Sequence, residues 1–241
     1  MKHLRKLLLI FTLFLLTATP AYANTDHAPR IRAKNGTSTN WSGYAVTTGL
    51  VSDAKGSWVV PVVTCTSTNT YSSAWVGIDG YSNNTVEQIG TEQDCRSGQP
   101  TYYAWYEMYP KPSFRINNVP VKAGDNINAE VKYVNGKFVL TLANATTGKS
   151  FTTTQKGKGQ RQSAEWIMEA PWSGGVLPLA NFGAIPFSHA STTVNGTTGS
   201  INAFAYDPIT MVISNTDSTV KASPSGLKSG GSSFSVNWYH E

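Results

Sequence analysis

This chain is short of charge. Of its 241 residues only 14% are Asp, Glu, Lys or Arg, so an acid set among apolar residues calls for a reason beyond solubility. Cysteine is scarcer: Cys65 and Cys95 are the only two, and neither sits in a C-x-x-C or metal-ligand spacing. Histidine is nearly absent once His3 is set aside with the N-terminal segment. His27 falls in a polar N-terminal stretch, His240 is penultimate, and His189, after Pro186-Phe187-Ser188, reads as a structural hydrogen-bonder. With so little histidine and no G-x-S-x-G elbow, Ser-His-Asp chemistry lacks its parts. There is no H-E-x-x-H to hold a catalytic zinc, no Asp-Thr-Gly or Asp-Ser-Gly to carry a paired-aspartate dyad, and no phosphate-binding glycine loop. Long helical periodicity is missing as well. Any hydrolytic chemistry is left to carboxylates and amides.

The N-terminus reads as a secretion signal over 1–23. Lys2, Arg5 and Lys6 form a basic start, Leu7 to Leu16 an apolar run too short to span a bilayer comfortably, and Ala21-Tyr22-Ala23 a cleavage site. Its removal leaves 16 basic against 14 acidic residues, so the net charge drops from +5 to +2. No Lys/Arg stripe remains to suggest a nucleic-acid partner, and no later segment suggests a membrane. Export makes a Cys65–Cys95 bridge the expected state, contributing on the order of 3 kcal/mol through loop closure. Residues 24–39 are polar and read as a short disordered leader that could be a vestigial propeptide. Residues 40–241 read as one domain.

What is present is β-sequence. Gly, Ser, Thr and Asn are abundant, and alternating stretches recur at 41–46, 56–60, 74–78, 102–109, 127–133, 138–143, 164–169, 203–213 and 233–239. Turn signals such as Asn135-Gly136, Asn195-Gly196 and Pro224-Ser225-Gly226 separate them. The region 146–162 reads as a hairpin or exposed loop. This pattern predicts an antiparallel all-β sandwich or barrel.

Three of these stretches place acids among aromatics. Side chains alternate along a strand. In Ser73-Ala74-Trp75-Val76-Gly77-Ile78-Asp79-Gly80, the residues Trp75, Gly77 and Asp79 share a face opposite Ala74, Val76 and Ile78. In Ala104-Trp105-Tyr106-Glu107-Met108-Tyr109-Pro110, Trp105, Glu107 and Tyr109 share one, with Tyr103. In Ala164-Glu165-Trp166-Ile167-Met168-Glu169, Glu165, Ile167 and Glu169 share one. The simplest assembly gathers Trp75, Asp79, Trp105, Glu107 and Glu165 on one concave surface, with a glycine leaving room for a ligand backbone. Such acids often form plain cross-strand pairs, but buried carboxylates also cluster at sites. On the residues alone, an acid–base enzyme, a carbohydrate-binding sandwich and a two-carboxylate glycosidase all stay open.

In order along the chain, Asn40-Trp41-Ser42-Gly43-Tyr44, Trp75-Val76-Gly77-Ile78-Asp79-Gly80, Gln88-Ile89-Gly90-Thr91-Glu92, Ala104-Trp105-Tyr106-Glu107-Met108-Tyr109-Pro110 and Ala164-Glu165-Trp166-Ile167 resemble the blocks of the glutamic peptidases, or eqolisins. The resemblance runs from about Asn40 to the C-terminus. It implies a sandwich of two curved antiparallel sheets, lectin-like, and a metal-independent acid endopeptidase with no cofactor. A Gln/Glu dyad would fall at Gln88 and Glu165, with Trp41, Trp75, Asp79, Glu92, Trp105 and Glu107 as supporting or substrate-binding residues. The family usually has Asp at the place of Glu92 and Trp at that of Met108. The short signal and leader suggest a bacterial member. A protein or peptide substrate, an extracellular location and a monomeric state are the expectations.

Overall fold

The computed structural model describes residues 25–241; the stretch 1–23 read as a signal lies outside them. Sixteen strands are formed: β1 Trp41–Val46, β2 Val51–Val59, β3 Ser73–Ile78, β4 Val86–Arg96, β5 Gln99–Tyr109, β6 Phe114–Ile116, β7 Asn126–Val134, β8 Lys137–Asn144, β9 Lys149–Gln155, β10 Ala164–Glu169, β11 Ala184–Val194, β12 Thr197–Ser200, β13 Tyr206–Ile209, β14 Met211–Val212, β15 Val220–Pro224 and β16 Phe234–Trp238. They make two antiparallel sheets. One has seven strands in the order β13-β1-β10-β3-β4-β5-β6. The other has nine, in the order β14-β15-β16-β11-β2-β7-β8-β9, with β12 beside β11. The expected sandwich is therefore the fold.

Period-two alternation divides the apolar residues into two sets. Ala74, Val76 and Ile78 of β3, Ala164, Trp166 and Met168 of β10 and Ile89 of β4 pack against Ala54, Trp58, Val131, Leu140 and Phe187 of the nine-stranded sheet, forming the main core. Trp166 and Trp58 are fully buried there, each removing a large apolar surface from water at about 25 cal/mol per Å². Their indole N–H groups are satisfied: Trp166 donates to the Lys55 carbonyl at 2.8 Å and Trp58 to Thr91 Oγ1 at 3.0 Å. The alternate residues Trp41, Ala45, Trp75, Val86, Trp105, Ile167 and Ile209 form a second apolar cluster on the outer face of the seven-stranded sheet.

Cys65 and Cys95 are bonded, as expected. Two expectations change. The stretch expected as one strand over 203–213 divides, because the chain leaves the seven-stranded sheet after β13 and enters the nine-stranded sheet at β14. Within 146–162 the hairpin alternative holds: the Lys149–Gln155 segment is a regular strand that closes the β8–β9 hairpin from Asn144↔Lys149 to Phe138↔Gln155. The leader read as disordered packs instead: Thr25, His27 and Ala28 are buried, and Asp26 exchanges both backbone hydrogen bonds with Trp172 at 3.0 and 2.8 Å.

Candidate active site

Strand register decides which polar groups meet. Across the middle of the seven-stranded sheet, Glu165 of β10 stands opposite Gly77 of β3, Gly77 opposite Gln88 of β4, and Gln88 opposite Glu107 of β5. Registered partners share a face, so one row carries Glu165, a residue with no side chain, Gln88 and Glu107. The next outer-facing row is Ile167, Trp75, Gly90 and Trp105, and the one after it Glu169, Ser73, Glu92 and Tyr103. At both glycines a Cβ would crowd its neighbours, at Gly90 against backbone. A Cβ on Gly90 would sit 2.3 Å from the Ala74 carbonyl oxygen, and one on Gly77 2.9 Å from the Trp75 ring and 3.2 Å from Gln88 Cβ.

The tryptophans hold acids as well as apolar surface. Trp75 Nε1 donates to Glu169 Oε2 at 2.8 Å, and Trp105 Nε1 to Ser73 Oγ at 3.0 Å. Trp41 packs edge-on to Trp75, 4.8 Å between ring centres. Asn40, just before β1, donates to Glu169 Oε1 at 3.4 Å. Glu92 accepts from the Thr25 hydroxyl at 3.2 Å. Gln88 Nε2 donates to Glu107 Oε2 at 3.0 Å and to the His27 carbonyl at 2.6 Å.

Asp79 has a different station from the one alternation predicts. It lies one residue past β3 with φ of 75°, and its carboxylate accepts from the backbone N–H of Arg161 (2.7 Å) and Gln162 (2.8 Å) and from Asn83 Nδ2 (2.8 Å). Its own N–H donates to the Ser163 carbonyl at 3.0 Å. Asp79 thus ties down the segment that delivers Glu165 to the sheet.

Burial makes these carboxyls reluctant to ionise. Glu165 is fully buried, and its pKa is pushed well above the ordinary carboxylate range by loss of hydration; the Ser163 hydroxyl eases the charged form, and the Asp79 and Glu87 charges oppose it. The Ser163 hydroxyl is near but forms no hydrogen bond of good geometry to Glu165, so both Glu165 oxygens, like Gln88 Oε1, lack a hydrogen-bond partner. Glu169 is pushed well up by burial and then by the neighbouring Glu107 charge, against the help of the Trp75 N–H. Glu92 rises to about 8, again from burial, opposed by Ser73 and Thr25. Glu107 is raised by burial, with His27 working the other way.

The structure brings together Trp41, Trp75, Gln88, Glu92, Trp105, Glu107 and Glu165 and sets Asp79 at the edge. It adds Glu169, Asn40, Ser73 and His27. Glu169 was legible as the second acid on the Glu165 face; His27 carried no sequence signal.

The fold and this face together define a class: an antiparallel β-sandwich with buried rows of carboxyls and an amide on the outer face of one sheet. Residues 39–237 match the Peptidase A4 family, and the chain belongs to that family. It is 31% identical to aspergillopepsin-2 of Aspergillus niger over 187 residues, 67% of this chain and 66% of that protein. It is 34% identical to scytalidopepsin B of Scytalidium lignicola over 168 residues, 64% of this chain and 62% of that protein. The chain thus spans just under two thirds of the length of these curated relatives. Among solved structures it resembles scytalido-glutamic peptidase with a transition-state analog inhibitor, at a TM-score of 0.73 and 26% identity, covering 83% of this chain and 98% of that one. It also resembles aspergilloglutamic peptidase from Aspergillus niger, at a TM-score of 0.62 and 32% identity, covering 70% and 99%.

Proposed function

We propose that this chain is a secreted acid endopeptidase that hydrolyses peptide bonds of unfolded proteins with Glu165, Gln88 and an activated water. The observation that carries the reading is the Glu165–Gly77–Gln88 row: a buried carboxyl with both oxygens unpartnered, in register with an amide whose Oε1 is also free, across a gap without a side chain. Family membership favours peptide over sugar as the substrate.

In this mechanism a water lies between Glu165 and Gln88 Oε1. Glu165 takes one of its protons as the oxygen attacks the scissile carbonyl carbon. Gln88 Nε2 donates to the developing oxyanion, and being neutral it adds no second charge. The tetrahedral intermediate collapses as Glu165 returns the proton to the leaving nitrogen, giving a new C-terminal carboxyl and a new amine. Gln88 Nε2 already donates to a peptide carbonyl, that of His27, so a substrate carbonyl can take the same place. Glu165 acts as a base only once it is ionised, so the mechanism requires the bound water and substrate to supply the hydrogen bonds that burial denies its carboxylate. Glu107 orients Gln88 through their 3.0 Å hydrogen bond, and Asp79 positions Glu165 through the 161–163 backbone.

Digestion of an acid-unfolded protein by wild type, Glu165→Gln and Gln88→Ala tests the assignment. Each variant is expected to melt as a folded protein and to lose at least about 10²-fold in kcat, with EDTA without effect on wild type. Full activity in Glu165→Gln would refute the dyad. Intact-mass measurement of the exported protein tests secretion, with a start at or near Asn24 expected.

A further inference from the structure

Glu87 takes no part in the chemistry above, yet it directly precedes Gln88 on β4. Alternation turns it to the opposite face of the seven-stranded sheet, in register with Ile78 of β3 and Met108 of β5. It is 1% exposed. The segment 156–159 covers it, and the cover depends on glycine. A Cβ on Gly157 would sit 3.1 Å from Glu87 Oε1, and one on Gly159 would strike Oε2. Lys111, Lys156 and Lys158 line a cavity beside it together with Tyr109. All three lysines are exposed, and no described cation pairs with Glu87.

Its working neighbour is Asp79. That residue follows Ile78, the cross-strand partner of Glu87, and the turn it makes at φ of 75° brings its carboxyl within hydrogen-bonding reach of the Glu87 carboxyl. Two buried carboxyls so placed do not both ionise; they share one proton. The donors around them decide which one holds it. Asp79 already accepts from the N–H groups of Arg161 and Gln162 and from Asn83 Nδ2. Glu87 has no such donors, and its Oε2 is without a partner. The proton therefore sits on Glu87 and points to Asp79. Burial first, and the Asp79 charge second, push the Glu87 pKa up to about 8. Asp79 ties down the backbone that delivers Glu165, and Glu87 is joined to Gln88 by one peptide bond. A single proton thus links the strand of the amide to the segment of the acid, from beneath the sheet.

We propose that Glu87 is a positioning residue of this site: it works as a neutral acid that donates to Asp79 and, through Asp79, holds Glu165 in place across from Gln88. Once ionised, Glu87 repels Asp79 and adds a charge that opposes ionisation of Glu165, so the link opens as pH rises. The inference rests on the peptidase reading for what the positioning serves; the proton-sharing pair stands on the carboxyls and their donors.

Two variants separate the roles. Glu87→Gln keeps a donor that does not titrate, and Glu87→Leu removes it. On an acid-unfolded protein at acid pH, Glu87→Gln is expected to stay within about threefold of the wild-type kcat, and Glu87→Leu to lose at least about tenfold in kcat with little change in KM. The ratio of kcat in Glu87→Gln to kcat in wild type should climb as pH rises toward 8, because every other acid is common to both chains. A wild-type kcat in Glu87→Leu, or a ratio flat with pH, overturns the proposal. Chemical denaturation tests the pair without any activity. Folded wild type holds one proton more than its unfolded chain, so its unfolding constant relative to that of Glu87→Gln should grow about tenfold per pH unit between about pH 5 and 7. On an Asp79→Asn background that growth should stop at a lower pH, because the charge opposing Glu87 is gone. A relative unfolding constant that ignores pH, or a growth that Asp79→Asn leaves unaltered, overturns the pair. Failure of wild type to digest protein would count against the peptidase reading while the denaturation contrast still decides the pair.

Discussion

Glu169 shows what each acid on this face depends on. It is fully buried, and the Trp75 indole N–H at 2.8 Å is its shortest hydrogen bond. Trp75→Phe keeps the ring and removes the donor, so it should destabilise the fold by about 1–3 kcal/mol, the scale for stranding a buried polar partner; a thermal melt measures it. Glu107→Gln should behave differently. Its amide can still bond Gln88, but the acceptor geometry changes, and misplacing Gln88 should cost on the order of 10²-fold in kcat in a protein that melts like wild type. Steady-state kinetics beside a melt separates the two effects. Much of this residue pattern was legible from alternation alone: Trp75, Trp105, Glu107 and Glu165 share the face that period two assigns. Asp79 was misplaced because strand geometry ends one residue before it, at φ of 75°. His27 was invisible because its burial is created by strands distant in sequence, β4 and β5, and nothing in its own polar segment encodes a partner.

At the scale of strands, the two glycines facing the tryptophans make a contrast. Gly77→Ala would press hardest on the Trp75 ring at 2.9 Å, which can shift by tenths of an ångström, and more lightly on Gln88 Cβ and the Glu87 carbonyl oxygen, each at 3.2 Å. Gly90→Ala would press on the Ala74 carbonyl oxygen at 2.3 Å and on the Trp75 backbone, which cannot shift without opening the β3–β4 ladder. We expect Gly77→Ala to fold with a penalty of about 1–3 kcal/mol, the usual cost of overpacking, and Gly90→Ala to cost more; comparative denaturation checks the order. Strands with clean alternation were readable: β1 and β10 have the expected bounds, and β3, β5, β7, β8 and β16 differ by one to three residues at an end. β4 was not, because Val-Glu-Gln-Ile-Gly-Thr-Glu-Gln-Asp-Cys-Arg is too polar for a buried strand by propensity. All but Arg96 of it is nonetheless buried. Its outer-facing polar residues bond across the sheet and to the leader, so tertiary contacts override the local signal. Gln88 was found through the family blocks and not through its strand. β11 was missed although it pairs β2, β12 and β16; Pro186 within it is a weak strand former.

For the whole molecule, the buried carboxyls set the pH at which it is sound. Glu165, Glu169 and Glu107 are raised by burial, and Glu92 and Glu87 are raised to about 8. A folded-state pKa above the unfolded value of about 4.3 means that the folded protein holds more protons. That contribution to stability is complete below about pH 4 and is lost as pH rises toward 8. Melting temperature should therefore fall steadily between these limits, opposite to a protein stabilised by ionised salt bridges. Reducing the Cys65–Cys95 bond should lower the whole curve, by on the order of 3 kcal/mol, without moving its slope. On the proposed function, the same ionisations predict that activity fades as pH rises, because charges then form on the acids around Glu165 and Gln88. The most direct test of the account is the pH dependence of kcat/KM on an acid-unfolded protein for wild type and Glu165→Gln. The account predicts an acid maximum that fades toward neutrality in wild type and a loss of at least about 10²-fold across the range in the variant. A neutral optimum that survives Glu165→Gln would contradict it.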